Sequence, residues 1–512
     1  MRRRRREEAH SLEEQERTRE AELPHPRSRP RVDLPLSLEA LEQVMGACSD
    51  FAKRKLYLAG EQETAVLCWI NGMVKTERVN DYVIRPLAQW QGPAVTGELR
   101  RIAEGGSWSL TVEERRDMDQ VTEDLVNGSC ILFLPGRETA LSFAVPTEEK
   151  RAVSAPENEN VLKGPKDSFT ESVRTNTSLV RRRLRTPWLR VEEQRVGRQS
   201  LTPVDLIWVE GITDPELVQQ ARRRVADIDI DALLSTGNLE EYIIDDIYTP
   251  FPMVMFTERP DRFSVGLMDG RVGLLVDGLP MGCLLPGDIA QFIKAPQDRS
   301  NNYLMATLLT LIRYFCMGIT LVLPAFYVAV ATFHPEMIPT KLALSIIASK
   351  QDVPFVTSLE VLAMLVAFEI LQEAGLRLPQ SIGQTVSIIG ALVVGQSAVE
   401  AKIVSPVVVI VVAVAGITGY TMPNQDFSNA LRIWRFVLTV AASVAGLFGL
   451  MTGLAALIYH LAGLESFGVA YLTPFASNPG EEQTGRALVR PPMPESKYRE
   501  LTLHPGNRRR QR

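Results

Sequence analysis

Residues 314–333 read YFCMGITLVLPAFYVAVATF, and no Asp, Glu, Lys or Arg interrupts them. An α-helix rises about 1.5 Å per residue, so this run covers the roughly 30 Å of hydrocarbon in a bilayer. Leu378–Val399, Ile403–Gln425 and Phe436–Leu464 are likewise free of charge, and Val353–Ile370 is apolar apart from Glu360 and Glu369. One apolar run can be the core helix of a soluble protein. Five in succession have no soluble core large enough to hold them. Residues 301–464 therefore read as an all-α transmembrane domain of about five spans. An odd count puts the two ends of the chain on opposite sides.

Working outward, the 512-residue chain carries a net charge of −5, with no general pull toward nucleic acid. Its basic residues cluster at Arg2–Arg6, Arg181–Arg185 and Arg508–Arg510. The five cysteines (Cys48, Cys68, Cys130, Cys283, Cys316) are widely spaced and form no CxxC pair. Neither a disulfide framework nor a zinc site is indicated. Glu7, Glu8, Glu13, Glu14 and Glu16 follow the first arginine run where a secretory signal needs an apolar core. The N-terminal region is thus expected on the cytoplasmic side.

Residues 1–31 offer almost nothing to bury and read as a disordered, charged N-terminus. Residues 32–150 mix helix and strand. Leu36–Cys48 has helical spacing behind Ser37 as N-cap, while Lys55–Leu58 and Thr64–Ile70 read as strands, the second closing on Asn71-Gly72. Ser129–Leu134 and Thr139–Val145 form a hairpin pattern around Pro135-Gly136. A polar segment with Pro146, Pro156, Gly164 and Pro165 suits an inter-lobe connection. In residues 151–300, Asp167–Arg185 reads as a charged amphipathic helix, Val204–Val209 as a strand, and Pro215–Asp227 as a helix capped by Asp214. The fold class expected is a two-lobed α/β soluble region followed by the transmembrane helices. Residues 465–512, with Pro479, Pro491, Pro492 and Pro494, look like a flexible C-terminal tail.

Phe251–Pro286 is the most distinctive soluble stretch. Asp269-Gly270 is read as a hairpin turn joining Val265–Met268 to Arg271–Val276, with Asp277-Gly278 closing the second strand. Thr257, Glu258, Arg259, Pro260 and Asp261 pack opposite charges around a proline. They read either as an exposed turn with a local ion pair or as a hinge or subunit contact near the membrane, a candidate coupling motif.

In the spans, Glu360 and Glu369 are nine positions apart and project to opposite helix faces. A carboxylate at hydrocarbon depth costs several kcal/mol unless it meets a partner or water, so both are candidate pathway or gating residues. Gln384–Val399 and Ile403–Tyr420 are separated only by Glu400-Ala401-Lys402. Their Gly and Ser content allows a tight helical hairpin, with Gln396 and Glu400 as further pathway candidates. Gly446, Gly449 and Gly453 form a helix-packing face, the last two in GxxxG spacing. Arg313 is expected to snorkel at the start of the first span. Of five histidines none has metal-ligand spacing, and no phosphate-binding loop occurs. No catalytic, cofactor-binding or metal residue is indicated, and the chain does not read as an enzyme.

TERPD followed by GRVGLLVDG, together with ENENVLKGPKDSFTESVRTNTSLVRRRLR, FHPEMIPTKLALSIIA and EAGLRLPQSIGQTVSIIGALVVGQSAVEAKIVSP, resembles the A-subunit family of bacterial spore germination receptors, the GerA family. The likeness runs from about Leu36 to Ser477. It departs before the first span, where Gln297-Asp298-Arg299 replaces an acidic pair and an aromatic. The resemblance implies a nutrient-sensing subunit in the spore inner membrane, working with a transporter-like B subunit and a lipid-anchored C subunit. It further implies a homo-oligomer that forms an ion-conducting path. Two other classes compete: a secondary transporter working by alternating access, disfavoured by the lack of an internal repeat, and a non-conducting scaffold.

Overall fold

The computed structural model describes residues 31–58, 63–88, 112–134, 138–147, 156, 159, 161–376, 395–475 and 487–510. Three expectations fall wholly or largely outside these residues: the arginine-rich start, the Pro135-Gly136 turn, and most of the Leu378–Val399 run.

The first lobe is one antiparallel sheet covered on both faces. Its strands are β1 (Phe51–Leu58), β2 (Glu63–Ile70), β3 (Val112–Arg115), β4 (Ser129–Phe133) and β5 (Ala140–Ala144), in the order β1-β2-β4-β5-β3. Alternation sends Cys68, Ile70 and Ile131 to one face, against Leu41 and Met45 of α1 (Leu38–Met45) and Val121 and Leu125 of α3 (Met118–Val126). Leu67, Leu132 and Phe143 point the other way, against Val83 and Leu87 of α2 (residues 76–88). Ser37 caps α1 through the amide of Ala40, as its sequence predicts.

The second lobe repeats this plan. Strands β6 (Leu189–Val196), β7 (Thr202–Val209), β8 (Met255–Thr257), β9 (Val272–Val276) and β10 (Gly282–Leu285) order as β6-β7-β9-β10-β8. Its helices are α4 (Val173–Arg183), α5 (Pro215–Ala226), α6 (Thr236–Ile243), α7 (Pro260–Asp269) and α8 (Ile289–Ile293). Helix α4 begins later than charge periodicity suggests, because Ser172 caps it; Phe169 before it instead donates its amide to the Glu258 carbonyl at 2.7 Å.

The hairpin expected around Asp269-Gly270 is replaced by a helix. Pro260 fits the first turn of α7, where its missing N–H costs nothing, and Gly270 ends the helix at φ +104°. The Asp-Gly pair is a helix terminator here rather than a strand turn.

Helix α9 (Tyr303–Phe333) leaves the second lobe and extends about 46 Å at 1.5 Å per residue. Then follow α10 (Thr340–Lys350), α11 (Thr357–Leu376), a helical stretch at residues 395–400, α12 (Pro406–Gly419) and α13 (Gln425–Gly463). Among the described residues, α9 and α13 are long and apolar enough to cross a bilayer. Helix α12, with 14 residues, reaches only about 21 Å.

Helix α13 is not straight. Ala445 (φ −130°) and Gly446 (φ +58°, ψ −137°) break it into arms of residues 425–444 and 447–463. The arms fold back on each other: a Cβ placed on Gly453 lies 3.8 Å from that of Ala441, and the rings of Trp434 and His460 are 5.9 Å apart. The last apolar run is therefore an antiparallel pair rather than one span. Its tip meets Phe333 at the distal end of α9, and both of its ends return to the second lobe. Over the described residues the chain thus leaves the second lobe at α9 and returns to it after α13, against the expectation of an odd span count.

The C-terminal segment is docked rather than a loose tail over its described parts. Strands β11 (Glu465–Ser466) and β12 (Val469–Ala470) turn back onto the second lobe, where Ser466 Oγ donates to the Met253 carbonyl at 2.7 Å and Tyr471 is buried. Arg490 then donates to the carbonyls of Asp298, Arg299 (3.0 Å) and Asn301 (2.8 Å), binding the turn that precedes α9.

Candidate functional site

The second lobe and the helices share one apolar core. Phe292 of α8 stacks on Phe427 of α13, centroids 6.1 Å apart, and Phe251 sits beside Phe427, His460 and Tyr471. Thr249 Oγ1 lies 3.0 Å from His460 Nε2. Displacing the lobe therefore displaces the helical pair, since close-packed cores transmit strain.

The motif Thr257–Asp261 sits at this joint with Thr257, Glu258, Arg259 and Pro260 buried and Asp261 half-buried, which removes the reading of an exposed turn. Arg259, 1% exposed, donates to both oxygens of Asp261 at 3.0 and 2.9 Å, to the Glu159 carbonyl at 3.2 Å and to the Pro165 carbonyl at 2.9 Å. Glu159, from the inter-lobe connection, accepts from the Thr257 hydroxyl, the Glu258 amide (3.2 Å) and the Arg262 guanidinium. Arg262 also donates to the carbonyls of Gln291 (3.3 Å) and Lys294 (3.2 Å) at the end of α8. Four residues on, Asp298 receives Arg313 of α9 through bonds of 2.5 and 2.9 Å. Arg313 thus does not snorkel to water; it is held by Asp298, inside the stretch that precedes α9. A continuous polar chain leads from the inter-lobe connection to the first long helix.

The four pathway candidates separate into three places. Glu360, 1% exposed, lies where α11, α12 and the end of α10 meet. Its Oε2 accepts the Ser405 amide at 2.8 Å, and its Oε1 is 3.1 Å from Lys350 Nζ. Glu369, two and a half turns on, faces the first arm of α13, with Arg435 at 2.6 Å and Arg432 at 3.4 Å. Gln396 donates to Glu400 at 2.9 Å on an exposed surface. Charge in the apolar half is thus stored in pairs that join separate helices, where an unpaired carboxylate is costly. The sequence reading missed Lys350, Arg432 and Arg435 as the partners. The signal was available in part: Arg432 and Arg435 are three apart, so they share a helix face. Among the described residues no group of three His, Cys, Asp or Glu side chains is arranged to hold a metal ion.

The glycines Gly446, Gly449 and Gly453 all sit at close approaches. A Cβ on Gly446 would come within 2.9 Å of Phe333, one on Gly449 within 2.0 Å of the Ala441 carbonyl, and one on Gly453 within 2.7 Å of Leu438.

These features define a chain whose α/β lobes are fused to a charge-paired helical domain with two helices long and apolar enough to cross a membrane. Residues 39–502 match the family model described as Bacillus/Clostridium GerA spore germination protein. The chain is 37% identical over 440 residues to the uncharacterized membrane protein YfkQ of Bacillus subtilis, covering 85% of each. It is also 37% identical over 434 residues to spore germination protein KA of the same organism, covering 84% of this chain and 80% of the relative. The crystal structure of the N-terminal domain of the A subunit of the Bacillus megaterium spore germinant receptor GerK3 matches at 29% identity and a TM-score of 0.40, over 50% of this chain and 97% of that one. The chain belongs to the GerA family of spore germination proteins.

Proposed function

We propose that this chain is the A subunit of a nutrient germinant receptor in the spore inner membrane. Its partners are a transporter-like B subunit and a lipoprotein C subunit. In this reading the helices of several copies enclose an ion-conducting path, and the lobes, on the cytoplasmic side, couple nutrient sensing to its opening. The role is non-enzymatic.

The observation that supports the reading most is the way charge is held in the apolar half. Glu369 bridges to Arg435 and Arg432, and Glu360 to Lys350, each across separate helices. Such contacts give two helix arrangements different energies, which gating requires; binding that favours neither state shifts nothing. The polar chain from Glu159 through Arg262 and Asp298 to Arg313 supplies a route for that bias.

The test is ion flux through the reconstituted receptor complex before and after nutrient addition. Glu369→Gln is expected to raise basal flux or abolish the nutrient response. Unchanged conductance and gating in Glu369→Gln and Glu360→Gln would remove both residues from the pathway.

A further inference from the structure

The turn that precedes α9 and the C-terminal segment docked on it concentrate positive charge. Residues 294–313 and 487–510 carry nine Lys or Arg against three Asp or Glu, in a chain whose net charge is −5. Folding brings these cations together. Arg299 and Arg510 approach the same carboxylate, Asp269 at the end of α7, with Arg299 at 3.7 Å. The Arg510 amide donates to the Lys497 carbonyl at 2.7 Å, which sets Lys497 beside it. The Arg490 guanidinium donates to three carbonyls, including that of Arg299 at 3.0 Å, and these carry no charge to offset its own. Arg262 and Arg490 lie within electrostatic reach of Arg299, as do Asp261 and Glu500, of which Asp261 is committed to Arg259.

The segment that presents these charges is held in place. Arg499 is buried and donates to the carbonyls of Met268 (2.5 Å), Asn507 (2.9 Å) and Arg509 (2.7 Å), tying the C-terminal segment to the end of α7. Arg299, Lys497 and Arg510 are exposed, the Arg299 side chain by 54%. The cations also border apolar surface. Arg490 exchanges hydrogen bonds with Thr307 Oγ1, through its amide at 3.1 Å and its carbonyl at 3.4 Å, so the segment crosses α9 one turn from its start. There Tyr303, Leu304, Met305 and Leu308 are exposed, and Val489 and Met493 are exposed on the C-terminal segment itself. A soluble anion has no use for such neighbours. A phospholipid has both a phosphate and acyl chains to place against them.

We propose that Arg299, Lys497 and Arg510, with Arg490 behind them, form a docking surface for anionic phospholipid headgroups at the base of α9. Guanidinium groups match phosphate oxygens in geometry, and attraction to an anionic surface acts within a Debye length of it. A bound headgroup joins the C-terminal segment to the first long helix, at the turn where Asp298 holds Arg313. The surface requires the helices to be embedded but not to conduct.

The test uses the purified full-length chain in a neutral maltoside detergent. Thermal unfolding is followed as dioctanoyl phosphatidylglycerol, dioctanoyl phosphatidylcholine or inorganic phosphate is added at constant ionic strength. Phosphatidylglycerol should raise the Tm saturably and phosphatidylcholine should not. Lys497→Gln and Arg299→Gln should each weaken the phosphatidylglycerol response about fivefold. Arg198→Gln, at an exposed cation elsewhere on the second lobe, should leave it unchanged. Equal shifts by the two lipids overturn the surface, as do Lys497→Gln and Arg299→Gln responses equal to the parent's or an equal loss in Arg198→Gln. A response to inorganic phosphate matching that to phosphatidylglycerol overturns the lipid assignment in favour of a soluble anion. Selective lipid binding without ion flux in proteoliposomes keeps the surface and refutes conduction.

Discussion

Arg181 of the second lobe binds Asp50 of the first through both carboxylate oxygens, across 131 residues of sequence, with side chains 1% and 0% exposed. Around it Ser49 donates its amide to the Val191 carbonyl at 2.8 Å, and Arg190 reaches the carbonyl of Val44. The arginine run that opens with Arg181 is therefore the joint between the lobes rather than a basic surface patch. Asp50→Ala leaves a buried guanidinium uncompensated and should cost about 3–5 kcal/mol. Thermal unfolding of the full chain measures it; a loss below about 1 kcal/mol would mean that the lobes are held otherwise.

The fold-back of α13 makes a geometric prediction. The Cβ atoms of Ala441 and a side chain at 453 would be 3.8 Å apart, the usual spacing in a disulfide. On a straight helix the same positions would be about 18 Å apart. Ala441→Cys combined with Gly453→Cys should cross-link under mild oxidation, which a shift on non-reducing electrophoresis detects. Failure to cross-link would restore a single straight span.

Glu240 gives the stability a sign with pH. Burial, helped by Asp426 and Glu241, lifts its carboxyl to about 7. A carboxyl raised in the folded state favours folding fully below its unfolded value near 4.5, and that contribution is lost as pH rises through about 7. Stability should therefore fall as pH rises from about 4.5 to about 7, with about 1 kcal/mol of the loss from this group lying between pH 6 and 8. Glu240→Gln should flatten the dependence and be the more stable form at pH 8. Unfolding temperatures over that range decide it, and identical profiles would exclude the assignment.

Much of the soluble fold was readable because its signals are local. Ser37, Asp214-Pro215 and the short apolar run in Ser129–Phe133 each set an element by chemistry within a few residues. The misreading at Asp269-Gly270 arose because that pair suits both a hairpin and a helix end. Pro260 at a helix start and Phe263 and Leu267 at helical spacing were the signals of the helix. The break at Ala445-Gly446 had no charge or proline to mark it in an apolar run; the positive φ at Gly446 and its close contact with Phe333 explain why a glycine is needed there. Glu360 was recognised as costly from its depth, but its partners were not legible. Lys350 and Ser405 reach it only through the helix arrangement.

Sidedness tests the central claim, that an embedded helical domain begins and ends at the same lobe. The native cysteines within the described residues are all buried, so single exposed cysteines can be introduced against a quiet background. Tyr248→Cys reports the second lobe, Met337→Cys the distal end and Asn507→Cys the C-terminal segment. In sealed vesicles of known orientation an impermeant thiol reagent should label positions 248 and 507 from one side and position 337 only from the other. Labelling of 507 together with 337, or of all three from a single side, would contradict the account.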